Sequence, residues 1–339
     1  MNKVNLGLIG CGGLGNVHAE CISRIGKAAF LAYADVKSDR AKALLSRFGG
    51  EYYTCDVERV LSDPRIDAVY ICTQHDSHAP LAIAAAGVGK HIFIEKPLAL
   101  TAQDCEAIAL AVEASGVSLM PAFKMRYYPL IQRAREFIPE PALVVGQMMD
   151  RRWEDSYWAQ DPDKGGGNVY SQGCHTADII RFLSGCEPLA LRASGGNLTH
   201  PGHERIDHCV ASIEMENGSL ASWIQGDAAL GMFTGKVFFE VFGDGKSVQI
   251  YDRMKKAVFH DGEATWTEER AMEEGFFLEN VEFITALIEG RPPGVTVFDG
   301  LQAARIVFGA SESIATGAAF HFPSSSTGRS TTNRTASHV

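Results

Sequence analysis

No stretch of the chain reaches the roughly 18 to 20 consecutive apolar residues that a membrane-spanning helix needs. The best run, 79–89, is followed at once by Lys90 and His91, so a spanning protein is not expected. Also missing is any C-x-x-C pair. The eight cysteines (Cys11, Cys21, Cys55, Cys72, Cys105, Cys174, Cys186 and Cys209) are scattered, which argues against a zinc ribbon or a disulfide framework and fits a reducing cytoplasm. Positive charge is in deficit, 31 Lys and Arg against 41 Asp and Glu for a net charge of −10. Neither nucleic acid nor an anionic membrane is therefore expected as a general partner, because phosphate binding needs clustered positive charge. The marks of disorder are absent as well, since 46% of residues are hydrophobic and only 21% charged. The N-terminus has the outline of a signal peptide, with Lys3 ahead of the apolar run 6–17. Five glycines in that run weaken a helix there, and no A-x-A site follows, so secretion is not expected.

What is present is a change of texture near residue 122. The 339 residues suggest two domains at about 150 residues each. In the first third, β-rich runs at 5–9, 30–34, 68–72, 91–94 and 117–121 alternate with helical stretches at 15–24, 38–48, 79–86 and 101–115. Strict alternation predicts a doubly wound parallel sheet, over residues 1–122. Beyond it, alternating strands at 143–149, 189–194, 209–214, 219–226, 237–242, 247–251 and 257–260 are joined in places by turn signals such as Asn217-Gly218 and Asp244-Gly245. With helices at 169–183, 277–289 and 300–316 they predict an α+β domain with a mainly antiparallel, open-faced sheet over 123–322. The Ser/Thr-rich tail 323–339 reads as disordered.

Gly10-Cys11-Gly12-Gly13-Leu14-Gly15 matches G-x-G-x-x-G, directly after the first apolar strand and ahead of a helix. In that context the glycines permit a tight turn, close approach of backbone to a pyrophosphate and close helix packing, while the helix N-terminus offers N–H groups and a positive dipole. Asp35 stands 20 residues beyond Gly15, where a carboxylate can take a ribose 2′-hydroxyl. A dinucleotide cofactor follows, NAD ahead of NADP because an acid repels a 2′-phosphate. Lys37 and Arg40 leave NADP open.

Thr73-Gln74-His75-Asp76-Ser77-His78, the run Gly89-Lys90-His91-Ile92-Phe93-Ile94-Glu95-Lys96-Pro97, the element Gly165-Gly166-Gly167 with Gly173, His175 and Asp178, and the closing stretch 283–300 together resemble the glucose-fructose oxidoreductase, inositol dehydrogenase and rhizopine catabolism (Gfo/Idh/MocA) family. The resemblance implies a Rossmann domain followed by an open-faced sheet domain, a homodimer or homotetramer formed through that sheet, and oxidation or reduction of a sugar, cyclitol or related polyol. It implies Gly10, Gly12, Gly13, Leu14, Gly15, Asp35, Thr73, His75, His78, Glu95 and Lys96 at the cofactor. On the substrate it implies Lys96, Arg126, Trp158, Ser171, His175 and Asp178, with Lys96 and His175 catalytic, and a cis Lys96–Pro97 bond. The sequence departs from the family in two places: Thr73-Gln74-His75 stands where T-P-N is common, and Ser171 stands four residues before His175, where Asp is common.

Read on their own, Lys96 falls at the carboxyl end of what counts as the fourth parallel strand, where doubly wound sheets bind ligands. His175 and Asp178, at i and i+3, share a helical face. Without an Asp at 171, His175 is expected to titrate near neutrality rather than higher. His75 and His78 have a metal-like spacing but no third ligand in the sequence, so no metal is expected. Trp153, Tyr157 and Trp158 fit a sugar-stacking wall or simple packing, and Lys124 and Arg126 fit polyol hydrogen bonding or solvated charge. The expected activity is NAD-dependent hydride transfer at a secondary hydroxyl or ketone. The alternatives are NAD-dependent glycoside cleavage and a non-catalytic dinucleotide-binding regulator.

Overall fold

The computed structural model describes residues 3–229, 235–270 and 274–323. All of the tail expected to be disordered except Pro323 lies outside these residues. The first sheet begins with β1 (Val4–Ile9), followed by α1 (Gly13–Ser23), β2 (Ala28–Ala34), α2 (Ser38–Phe48), β3 (Tyr52–Thr54), α3 (Val57–Leu61), β4 (Ala68–Ile71), α4 (His78–Gly87), β5 (His91–Ile94), α5 (Ala102–Ser115) and β6 (Leu119–Pro121). Its six strands are all parallel in the order β3-β2-β1-β4-β5-β6. The inner strands β1, β4 and β5 are buried on both faces almost throughout, which is why they read as unbroken apolar runs instead of alternating ones. The order reverses between β1 and β4, so the crevice above their carboxyl ends is the place where such a sheet takes a ligand. The strand ahead of Lys96 is therefore the fifth in chain order, not the fourth. The three-residue edge strand β3 and one-turn α3 are too short to show a hydrophobic period.

After α6 (Pro129–Phe137) come β7 (Leu143–Arg151), α7 (Gly167–Ser184), β8 (Pro188–Gly196), β9 (His208–Met215), β10 (Leu220–Ala229), β11 (Val237–Gly243), β12 (Lys246–Tyr251), β13 (Lys256–His260), β14 (Thr265–Glu269), α8 (Gly275–Glu289), α9 (Val297–Thr316) and β15 (Phe320–His321). The nine strands form one sheet in the order β14-β13-β12-β11-β7-β10-β9-β8-β15. It is antiparallel except where β7 meets β10. One face packs on α7 and α9. Along β9, Cys209, Ala211, Ile213 and Met215 point to that core, while Val210, Ser212 and Glu214 face outward, the alternation a half-buried strand requires.

Two helices tie the sheets together. The apolar face of α8 returns to the first sheet, where Phe283 packs edge-on against Tyr70 and Phe93, ring centroids 5.8 and 5.5 Å away. α9 lies along both α5 and α7. Its N-terminus is closed by a reciprocal capping box between Thr296 and Asp299.

Candidate active site

The glycine loop separates into two kinds of position. A Cβ added at Gly10 would stand 2.5 Å from the Cys72 carbonyl oxygen, and one at Gly15 would stand 2.1 Å from that of Gly10. Both glycines are demanded by the chain itself. Gly12 and Gly13 are not: the nearest atom to a Cβ at Gly12 is Arg40 Nη1 at 3.9 Å, and at Gly13 nothing lies within 4 Å. Glycine there keeps space clear for something outside the chain. That space adjoins the N-terminus of α1, which carries no side-chain cap and so presents free backbone N–H groups to an anion. Asp35 closes the site, its Oδ2 accepting from Cys11 N and its Oδ1 from Lys37 N, both at 2.8 Å, with lone pairs left for ribose hydroxyls. Thr73 Oγ1 accepts from Ser77 Oγ at 2.7 Å on the rim beyond β4. Leu14 is partly exposed. A dinucleotide fits these residues.

From the end of β5 the chain runs Glu95-Lys96-Pro97, with the Lys96–Pro97 bond cis. Lys96 crosses to the second half of the molecule, its Nζ donating to the Ser171 carbonyl at 2.9 Å. One turn further along α7, His175 is 4% exposed, and its Nδ1 is enclosed without a hydrogen-bond partner among the described residues. The aspartate that could have accepted from it is replaced by Ser171. Burial, reinforced by Lys96, Lys124 and Lys236, pushes the His175 imidazole well below its usual value. The near-neutral titration expected from the sequence is thus corrected downward, and the ring is neutral at physiological pH.

Lys236, Asp150, Gln172, His18, Asn280 and Glu279, which the sequence reading did not single out, complete the surroundings together with Trp153 and Glu95. Lys236 pairs with Asp150 Oδ2 at 2.6 Å and donates to Gln172 Oε1 at 3.3 Å, and burial lowers its pKa despite Asp150. Trp153 Nε1 donates to the same Asp150 oxygen at 3.2 Å. Beneath Lys96, Glu95 accepts from His18 Nε2 at 3.1 Å, and His18 Nδ1 accepts from Asn280 at 2.9 Å. Burial raises the Glu95 carboxyl, but the His18 hydrogen bond with His18, Lys96 and Lys124 outweighs it and leaves the pKa lowered. Neighbouring Glu279 has neither oxygen partnered among the described residues; burial first, and Glu95 second, hold its carboxyl well above the usual range.

The other expected residues divide. His75 donates from Nδ1 to the Gly165 carbonyl at 3.0 Å, and Trp158 leans edge-on against its ring at 4.9 Å. This contact clips the first sheet's loop to the segment before α7. His78 is fully buried and donates to the Pro97 carbonyl at 2.8 Å, so it holds the Lys96 loop from behind. Arg126 and Asp178 face each other: the guanidinium grips both carboxylate oxygens at 2.8 and 2.6 Å and also reaches Asp299 at 2.8 Å. Arg181 adds Glu187 to this buried network at 2.7 and 2.8 Å. Lys96, Ser171 and His175 are brought together, whereas Asp178, on the same helix, is turned away into an ion-pair cluster.

A parallel sheet with a phosphate-ready glycine loop at its switch point, and a buried lysine and neutral histidine beside it, define a dinucleotide-dependent oxidoreductase. Two family models match: an oxidoreductase family with an NAD-binding Rossmann fold over residues 4–123, and a GFO/IDH/MocA C-terminal domain over 134–249. The chain belongs to the Gfo/Idh/MocA family. It is 26% identical over 335 residues to the myo-inositol 2-dehydrogenase of Thermotoga maritima, covering 92% of this chain and 96% of that one. It is 28% identical to an uncharacterized oxidoreductase of Bacillus subtilis, covering 93% and 95%. A solved levoglucosan dehydrogenase, in complex with NADH and L-sorbose, superposes with a TM-score of 0.88 at 25% identity, covering 95% of this chain and 100% of that one.

Proposed function

We propose that the protein is an NAD-dependent dehydrogenase that moves a hydride between nicotinamide and a secondary hydroxyl or ketone of a sugar, cyclitol or related polyol. The observation that carries this reading is the meeting of Lys96 with the α7 turn bearing His175, at the carboxyl end of the parallel strands from which the open glycine loop also leaves. Bound nicotinamide would accept or supply the hydride. The chain's part is to place the carbinol and move one proton. Lys96 uses one N–H on the Ser171 carbonyl and keeps two for the reacting oxygen, whose developing negative charge its ammonium favours. With Nδ1 enclosed, we assign the hydroxyl proton to His175 Nε2: the neutral imidazole takes it as base in oxidation, and the imidazolium so formed returns it as acid in reduction. Gly10, Gly12, Gly13, Leu14, Gly15, Asp35 and Thr73 form the cofactor side. His75, His78 and Glu95 support it from behind, and Trp158 forms a wall of the cleft. Arg126 and Asp178 act by holding α7 against Asp299.

Several further readings rest on the same frame. Residues 1–122 form the cofactor domain and 123–322 the substrate domain. The outward face of the second sheet, with Val210 54% and Leu220 51% exposed, supports a homodimer or homotetramer built through it. Eight free cysteines, and no helix among the described residues long and apolar enough to cross a membrane, support a cytoplasmic location. The test is a panel of cyclitols, aldoses, uronates and glycosides with NAD and NADP, followed by nicotinamide absorbance. At least one polyol should form NADH. Sugar release without net NADH would mean glycoside cleavage, and no turnover anywhere would mean a non-catalytic dinucleotide-binding protein.

A further inference from the structure

The loop between β8 and β9 contains His200-Pro201-Gly202-His203, folded into a turn in which His203 N donates to the His200 carbonyl at 3.0 Å. The turn brings both imidazoles to one side, ring centroids 5.2 Å apart. Asp155, from the segment after β7, joins them, its Oδ1 2.8 Å from His200 Nδ1. One ligand-capable atom from each of Asp155, His200 and His203 lies within 4.8 Å of the others. The sequence reading weighed only His75 and His78 for a metal, and the structure gives that pair a carbonyl each instead.

The surroundings of His200 point to a ligand. The residue is 2% exposed, and its Nε2 lies 2.9 Å from Oδ2 of Asp227, which is itself fully buried. That carboxylate also accepts from Trp153 N at 3.2 Å, while its Oδ1 has no partner among the described residues. The Gln160 side-chain amide stands 2.7 Å from the same imidazole nitrogen. Asp207 fixes the loop by accepting from His200 N at 2.6 Å and Leu198 N at 3.3 Å. A carboxylate on the far nitrogen of a histidine, fixing its tautomer and raising the basicity of the near one, is the outer arrangement of metal-binding histidines.

We propose that Asp155, His200 and His203 bind one divalent ion of the zinc class, with Asp227 orienting His200 from behind. Two imidazoles and one carboxylate suit zinc and its borderline neighbours and do not suit magnesium or calcium, which take oxygen ligands. Tetrahedral zinc with bonds of 2.0–2.1 Å sets its ligand atoms about 3.3 Å apart. Asp155 Oδ1, now 2.8 Å from His200 Nδ1, would move out by about half an ångström, and the partly exposed His203 would close in from within 4.8 Å. Asp155 and Asp227 bring two negative charges that a divalent ion neutralises. The competing cation is Arg152, whose Nη2 lies 2.8 Å from Asp155 Oδ1 and whose other nitrogens donate to the Thr199 and Trp153 carbonyls at 3.3 Å; its side chain is 46% exposed, and the ion would have to displace it from Asp155. The ion would staple the β8–β9 loop to the segment 153–160, which carries Trp158 against His75; it takes no part in hydride transfer.

The test uses tag-free, chelator-stripped full-length protein titrated with Co²⁺, read by its ligand-field absorbance, and with Zn²⁺ against a chromophoric chelator. One equivalent should bind. His203→Gln and Asp155→Asn, which lie toward the surface, should each weaken binding at least tenfold, and Asp227→Asn about 10- to 100-fold, as outer carboxylates do elsewhere. The stripped His203→Gln and Asp155→Asn proteins should melt as the stripped wild type does, so those two carry the result even if Asp227→Asn misfolds. No uptake by wild type at 100-fold excess metal, or uptake that His203→Gln and Asp155→Asn leave unchanged, would overturn the proposal.

Discussion

Alanine substitutions along the glycine loop separate what the fold requires from what the cofactor requires. At Gly15 the new Cβ would lie 2.1 Å from a backbone oxygen, and no side-chain rotation can relieve that contact. Overpacking of this kind costs about 1–3 kcal/mol, which in a domain of this size lowers Tm by roughly 2–4 °C per kcal/mol. Gly12 has φ −78°, open to any residue, and its nearest neighbour would be 3.9 Å away. Gly12→Ala should therefore change apo stability by no more than about 0.5 kcal/mol. Its methyl group would nevertheless occupy the space kept for the pyrophosphate, and NAD affinity should fall at least tenfold, about 1.4 kcal/mol. Thermal unfolding without NAD and with NAD at 100 times the wild-type Kd reads both effects. Wild type should gain about 2.7 kcal/mol from the ligand and Gly12→Ala about 1.4 kcal/mol or less, whereas Gly15→Ala should be destabilised even without ligand. A Gly12→Ala protein that loses as much apo stability as Gly15→Ala, or that binds NAD like wild type, would show that the space at Gly12 is not kept for the cofactor.

Asp35→Ser should lower kcat/KM with NAD and narrow discrimination against NADP, with Arg40 already beside Gly12 to receive a 2′-phosphate; a wild type that prefers NADP would contradict this. Burial sets the pKa values of His75, His78 and His175 below the unfolded value of 6.5. The native state then binds fewer protons than the unfolded one below pH 6.5, so stability is lost as pH falls through that value, by up to about 1.4 kcal/mol per pH unit per histidine. Urea midpoints between pH 7.5 and 5.5 should show this, and His78→Asn should flatten the slope; an unchanged slope would count against it. Glu279 has the opposite sign: its carboxyl is raised above 4.5, so the native state holds the extra proton and stability falls as pH rises. Glu279→Gln should gain up to about 3 kcal/mol at pH 7, and an unchanged urea midpoint there would refute the assignment.

Legibility in the sequence followed the range of the interactions. The parallel sheet, the glycine loop and Asp35 were readable because strand, turn and carboxylate lie within 35 residues of one another. The short β3 escaped because three half-buried residues carry no period. The return of α8 to the first sheet escaped too, since its apolar face does not reveal which sheet it covers. Arg126 and Asp178 each looked like a group free for substrate, and only the fold shows that they engage each other. Ser171 marked the missing partner of His175, but the downward shift of that histidine comes first from burial and then from Lys96, Lys124 and Lys236, the last two arriving from a turn after β6 and from just ahead of β11. Asp155 and His200 were invisible as a cluster for the same reason.

In the proposed reaction His175 carries the proton and Lys96 the developing charge of hydride transfer. This assignment is tested most directly by single-turnover measurement of NADH formation with a polyol identified in the panel, comparing wild type with His175→Ala and Lys96→Ala. The hydride-transfer step in His175→Ala should slow at least about 10²-fold while NAD affinity stays unchanged, and Lys96→Ala should slow as well. A His175→Ala enzyme that transfers hydride at the wild-type rate would contradict it.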